Sequence, residues 1–295
     1  MMNRLFIVAL ATVLGSAASA QVVHNVSTVE GFRDALLTAQ ANQDDDTINV
    51  AAGYYDVAPV GTLTYTAAAN EGFSLVINGA DSDFVTLYGA SAVQIMRIDT
   101  TAVVAGAPGL EINNMTFEIG YAGGAPTNGG ALSIMMPESM MAKIRGSEFY
   151  FNSAVGDGGA VYIAGAFMEG LYLDDLTIQG NSALGTNGGQ GDGGGIQISA
   201  ANNTRVELNN IDILDNEAQR YGGGLNPHGQ DDTQHAGWVG LNDMIIENNS
   251  ASGASGSGGG ASCFALDCWV NLVGFVTNDA TDVGGGLHLR EYSRM

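Results

Sequence analysis

The chain is short of positive charge. Its 295 residues include 9 Lys and Arg against 31 Asp and Glu, and Lys143 is the single lysine. A surface with this balance repels the phosphates of nucleic acids and the headgroups of anionic lipids. The composition therefore argues against nucleic-acid binding. No organic cofactor is predicted.

Cysteine and proline are also scarce. The chain has 5 prolines, and its 43 glycines do not recur at every third residue, which excludes a collagen helix. Its two cysteines, Cys263 and Cys268, lie five residues apart. In an exported protein they can close a small disulfide loop, or they can remain as buried free thiols. Further metal ligands at suitable spacing are lacking nearby, so a zinc site is not predicted.

Long apolar runs are limited to the N-terminus. Residues 5–14 form an apolar run of about half the ~20 residues that a transmembrane helix needs. Arg4 precedes the run and the sequence Ala-Ser-Ala at 18–20 follows it, which is the pattern of a cleaved signal peptide over residues 1–20. The mature chain, 21–295, is predicted to be exported as one domain with no membrane-spanning helix.

The sequence is rich in a repeated two-part phrase. The first part reads apolar-x-x-Asn with Ala two residues later, and its asparagines are Asn152, Asn181, Asn216, Asn249 and Asn278. The second part is a run of two or three glycines followed by a short apolar stretch. Repeats of about 30 residues that vary in one loop predict a solenoid whose coils share their sheets, here over about residues 117–290.

Each residue type in the phrase suits a stacked corner. Asparagine amides one above another can satisfy their own donors and acceptors as a ladder. Alanine fits the limited space beside the ladder, and glycine fits a corner that needs positive φ or close backbone contact. These residues are therefore predicted to be structural.

The segment before the repeats predicts one helix over about residues 28–41. Ser27 and Glu30 fit a capping box, and Phe32, Leu36 and Ala39 lie on one helical face. Such a helix would cover the open end of the stacked strands. The fold class predicted is all-β: a right-handed parallel β-helix with a short N-terminal capping helix.

The alternating Gly-Gly-Ala/Ile/Leu and Phe-x-x-Asn motifs resemble those of the polymorphic outer membrane protein family. Residues 32–36, 46–48 and 53–55 also resemble the opening of bacterial secreted β-helix proteins. The resemblance implies a pectin-lyase-like β-helix in the extracellular space or at the cell outer membrane surface, with a role in adhesion or surface display. The family's autotransporter members end in a β-barrel of at least eight strands, for which the few residues after the last glycine run here, 287–295, are too short.

Three readings of function follow. The first is an exported protein that binds a cell-surface glycan or protein without catalysis. The second is a polysaccharide lyase or glycoside hydrolase, whose candidate catalytic residues are Asp175, His228, Asp231 and Asp232. The third is a piece of a longer surface protein whose uncovered last coil favours end-to-end self-association. Calcium binding is expected from the charge, but no dedicated Ca²⁺ site can be assigned.

Overall fold

The computed structural model describes residues 21–80, 84–104, 106–125, 127–186, 190–200, 204–229, 237–264 and 266–290. The predicted signal peptide lies outside these ranges. Within them the chain forms one helix, α1 (Val29–Ala39), and parallel strands before and after it. No helix in the described part is long and apolar enough to cross a membrane.

The strands of the first half are short. They are β1 (Gln21–Val26), β2 (Asp45–Val50), β3 (Gly53–Asp56), β4 (Leu63–Thr66), β5 (Leu75–Gly79), β6 (Val85–Tyr88), β7 (Met96–Asp99), β8 (Leu110–Asn113), β9 (Thr116–Glu118) and β10 (Tyr121–Ala122).

In the second half, several strands continue around a corner of the coil. They are β11 (Leu132–Tyr150), β12 (Ser153–Ala154), β13 (Val161–Gln179), β14 (Ser182–Ala183), β15 (Ile196–Ala200), β16 (Thr204–Leu214), β17 (Glu217–Ala218), β18 (Leu225–Gly229), β19 (Gly237–Glu247), β20 (Ser250–Ala251), β21 (Ala261–Phe264), β22 (Asp267–Val276), β23 (Asp279–Ala280) and β24 (Leu287–Arg290).

The strands stack into a parallel β-solenoid with three main faces. Face 1 contains β4, β7, residues 132–136, residues 161–165, β15, β18, β21 and β24. Face 2 contains β1, β2, β5, β8 and residues 142–145, 171–174, 206–209, 239–242 and 268–271. Face 3 contains β3, β6, β9 and residues 147–150, 176–179, 211–214, 244–247 and 273–276. The two-residue strands β10, β12, β14, β17, β20 and β23 form a separate narrow sheet.

The core follows from the alternation of side chains along each strand. On face 2, one register position holds Ile48, Ile77 and Ile112 in successive coils, and all three are fully buried. On face 3, the rings of Phe117 and Phe149 stack with centroids 4.8 Å apart, which equals the spacing between paired strands. Similar residues at one register position therefore fill a continuous core.

In the coils that carry the repeat motifs, three corners use positive φ. One is the first residue of each glycine run, another precedes each ladder asparagine, and a third separates face 2 from face 3. The residues there are not always glycine: Phe151 has φ of 55° and Leu272 has φ of 54°. Because bulky residues rarely adopt this conformation, the stacking of the coils must impose it.

The strictest requirement for glycine comes from close contact between the backbones of adjacent coils. A Cβ on Gly223 would lie 2.3 Å from the carbonyl oxygen of Gly259 in the next coil. The sequence predicts small residues at these corners, and the structure shows that the space between adjacent backbones excludes even a methyl group.

The helix packs on the first strands, with Phe32, Leu36 and Ala39 fully buried. Its N-cap is Thr28, whose hydroxyl accepts a hydrogen bond from Gly31 N at 3.0 Å. The capping box predicted from Ser27 and Glu30 is therefore wrong: the N-cap lies one residue later, and its N3 residue is Gly31, which has no side chain to complete a box. Ser and Thr are both favoured caps, and the sequence does not distinguish adjacent ones.

Candidate functional site

A column of buried asparagines, here called the inner ladder, occupies the corner after face 3. Asn216 Oδ1 accepts hydrogen bonds from the backbone N and from Nδ2 of Asn181, both at 2.9 Å. Asn216 Nδ2 donates to Asn249 Oδ1 and to Ile178 O, also at 2.9 Å. The members are Asn152, Asn181, Asn216, Asn249 and Asn278. Their side chains are committed to joining adjacent coils and offer nothing to a ligand.

A second polar column, the outer ladder, lies on face 2. In the first coils Asn49, Asn78 and Asn113 each donate to the amide oxygen of the preceding asparagine. Later coils place charged and amide side chains at the same register position, and the column ends on Asn271. The members are Asn25, Asn49, Asn78, Asn113, Arg145, Asp174, Asn209, Asn242 and Asn271. Sequence reasoning missed this column because its residue type changes along the chain, with Arg145 and Asp174 standing between the asparagines.

Of the four catalytic candidates, the structure describes Asp175 and His228, which lie on different faces of the solenoid. Asp175 is exposed at the corner between faces 2 and 3, where its Oδ1 accepts a hydrogen bond from Asn210 Nδ2 at 2.9 Å. His228 lies on face 1 against the ring of Phe264, with centroids 4.6 Å apart. Asp231 and Asp232 lie outside the described residues. The structure therefore separates the two candidates that it places.

The other titratable groups near face 1 are structural. Arg220 makes a bidentate contact with Asp192, at 2.8 Å from Nε and 2.5 Å from Nη2. Asp192 also accepts from Tyr221 N, and its own backbone N donates to Asp157 Oδ1 at 3.0 Å. Burial raises the pKa of Asp157, and Asp192 adds to this effect. These groups satisfy backbone donors of neighbouring coils.

The cysteines lie at the last coils. Cys263 and Cys268 are both fully buried and their sulfur atoms are bonded, which joins β21 to β22. Among the described residues, His, Cys, Asp and Glu form no group of three that could hold a metal ion.

Face 3 of the first coils carries a cluster of outward tyrosines and carboxylates that sequence reasoning missed. We call it the Tyr–Glu face: Tyr54, Asp56, Tyr88, Glu118, Glu148, Tyr150 and the adjoining Phe151. The rings of Tyr54 and Tyr88 lie 5.4 Å apart, and those of Tyr150 and Phe151 lie 6.4 Å apart. Tyr54 and Phe151 are 63% and 61% exposed, so most of their ring surface is open to a partner.

Register explains how residues distant in sequence meet on this face. Asp56, Tyr88, Glu118 and Tyr150 occupy one column in four successive coils, so acids and tyrosines alternate along it. Tyr88 and Tyr150 are two rungs apart, or about 9.6 Å at the usual strand spacing. The sheet fixes these intervals.

The charge of Glu118 contributes to the raised pKa of two tyrosines of the Tyr–Glu face, Tyr54 and Tyr150. Burial raises the pKa of Tyr54, and Tyr88, Glu118 and Asp56 add to the shift. Burial likewise raises the pKa of Tyr150. The charges of Glu148 and Glu118 raise it further, and Glu148 also accepts a hydrogen bond from the Tyr150 hydroxyl. Glu148 also accepts a hydrogen bond from Thr116 Oγ1 at 3.2 Å. These tyrosines therefore stay neutral and can donate hydrogen bonds at physiological pH.

Positive charge is absent from the described part of this face. Each Lys or Arg whose side chain the structure describes lies against a carboxylate elsewhere. The pairs are Arg33–Asp34, Arg97–Asp99, Lys143–Glu111, Arg145–Asp174, Arg205–Glu207 and Arg220–Asp192. No described Lys or Arg side chain therefore offsets the charge of Glu118.

Comparison with protein-family models finds no matching family, and searches of curated proteins and of solved structures likewise return no match. The parallel β-solenoid is thus established by the structure, while the likeness to the polymorphic outer membrane proteins rests on the repeat motifs quoted above.

A sequence signal for the Tyr–Glu face exists in retrospect. The residues immediately before and after the buried position of face 3 point outward, as in Glu148-Phe149-Tyr150 and Thr116-Phe117-Glu118. Aligning the coils on that buried position would have placed the tyrosines and acids in columns. The first coils lack the ladder asparagine, so the repeat phrase alone did not align them.

Proposed function

We propose that this protein is exported and acts in adhesion or surface display, with the Tyr–Glu face as its binding surface. The observation that carries the proposal is the concentration of exposed and half-buried aromatic rings, together with carboxylates that no described Lys or Arg offsets, on one rigid sheet. Aromatic side chains with polar edges dominate protein recognition surfaces because they bury large areas while losing little rotamer freedom.

Three further features support the proposal. The predicted signal peptide would deliver the chain outside the cytosol, and a disulfide such as Cys263–Cys268 persists in oxidising compartments. The face lies on a continuous parallel sheet whose inward side is packed in the core, so its side chains are preorganised and little ordering is needed when a partner binds.

The proposal is tested by binding of residues 21–295, fluorescently labelled, to an array of extracellular matrix proteins and purified glycans. The variant carrying Tyr88→Ala and Tyr150→Ala should lose at least 90% of the wild-type signal on its targets. The matched control carries Ile245→Ala and Val276→Ala, two exposed apolar residues of face 3 at the other end of the solenoid. Equal binding by wild type and the tyrosine variant would refute the proposal.

A further inference from the structure

The outward positions of face 3 combine acids with aromatic rings and hold no cation in the described part of the chain. The carboxylates at these positions are Asp56, Glu118, Glu148, Asp212 and Glu247. Three of the five lie among the tyrosines, and the chain as a whole has a net charge of −22. A partner that fits this face must therefore be neutral or cationic, and cations gain most from it.

The arrangement around Glu118 favours a cation specifically. In its column Glu118 is flanked by Tyr88 on the preceding coil and Tyr150 on the following coil. An ammonium or guanidinium group at the Glu118 carboxylate would have a tyrosine ring on each side. Ring faces attract cations, and the attraction adds to the ion pair.

We infer that the Tyr–Glu face binds a lysine- and arginine-rich segment of a partner protein; the inference rests on the proposed function and names the partner's chemistry. The carboxylates are unevenly spaced, since Asp56 and Glu118 lie two coils apart while Glu148 lies one coil further in the adjacent column. Long, flexible Lys and Arg side chains can reach such positions individually and lay their stems on tyrosine rings.

The test uses a fluorescent octalysine peptide as the probe, with fluorescence anisotropy titrations at 0.15 M salt, where unspecific attraction between distant charges is largely screened. Glu118→Gln is expected to raise the dissociation constant at least tenfold. The charge-matched control is Asp212→Asn, which removes the same charge from the same face at a position without tyrosines. It should change the dissociation constant less than threefold. The double variant at Tyr88 and Tyr150 should match or exceed the Glu118→Gln effect.

Two outcomes would overturn the inference. Equal effects of Glu118→Gln and Asp212→Asn would show that octalysine responds to net charge and not to this face. Tighter binding of a glucosamine oligomer or of a neutral oligosaccharide than of octalysine, with the same dependence on the tyrosines, would assign the face to a glycan.

The array separates this failure from failure of the proposed function. If targets require Tyr88 and Tyr150 but are insensitive to Glu118→Gln and to competing octalysine, the binding face stands and its cationic specificity is refuted. If neither variant alters target binding, both proposals fail. If octalysine displaces the targets and Glu118→Gln weakens target binding, both proposals are supported.

Discussion

Replacing Asn216 by alanine should destabilise the protein far more than removing an exposed asparagine. Asn216 is 1% exposed and lies in the middle of the inner ladder. Its loss removes the acceptor for the backbone N and Nδ2 of Asn181 and the side-chain donor to Ile178 O. Asn249 Oδ1 keeps the backbone N of residue 216 as a donor, and Asn181 Nδ2 keeps its bond to Phe149 O, so the loss falls on Asn181 N and Ile178 O.

The expected magnitude follows from those two groups. A buried polar group without a partner costs about 1–3 kcal/mol, so the free energy of unfolding should fall by about 4 kcal/mol. The matched control is Asn242→Ala in the outer ladder, where Nδ2 donates to Asn209 Oδ1 at 3.0 Å on a half-exposed face. Because water replaces that bond, the control should lose about 1 kcal/mol or less.

Urea unfolding followed by circular dichroism measures both variants. Because contacts in a solenoid are between neighbouring coils, the loss should also be local. Amide hydrogen exchange should therefore accelerate first at Asn181 and its flanking residues. Equal shifts in the two variants, or unchanged exchange at Asn181 in the Asn216→Ala protein, would refute the hydrogen-bonding account of the ladder.

Three more perturbations test other parts of the scaffold. Gly223→Ala should lower the free energy of unfolding by about 3 kcal/mol, because the added Cβ would meet a carbonyl oxygen of the next coil. The control Gly124→Ala, which has open space around it, should change the free energy of unfolding by less than about 0.5 kcal/mol. Similar melting temperatures for the two variants would contradict this. Burial raises the pKa of Glu71 above its ordinary value of 4.5, so the folded state is penalised above that raised pKa and relieved as the pH falls. Glu71→Gln should therefore be the more stable protein at pH 7, with the difference closing towards pH 4, and a constant difference in urea midpoints across this range would argue against the burial penalty. Replacing Cys263 and Cys268 together by alanine should cost about 2 kcal/mol, as expected for a short closed loop, and an unchanged melting temperature would count against a stabilising disulfide.

Much of the scaffold could be predicted because each repeat residue has a local physical requirement. Phe149 and Ile178 alternate with polar neighbours, which fixes the inward side of the strand. The glycine runs mark corners that no side chain can occupy. Where requirements were not unique, prediction failed: Ser27 and Thr28 are equivalent caps in sequence, and only the backbone geometry selects Thr28.

The sequence by itself determined that the chain folds as stacked coils, because a repeat of about 30 residues buries its apolar side only against copies of itself. Only the tertiary structure decided which outward side chains become neighbours. Tyr88, Glu118 and Tyr150 are 30 or more residues apart along the chain, and the parallel register places them one coil apart in a single column. Which residues pair between coils depends on the number of residues in each coil, and the variable loops change that number without changing the motif. A binding surface on a solenoid is therefore a property of alignment between coils, and it is invisible in any single repeat.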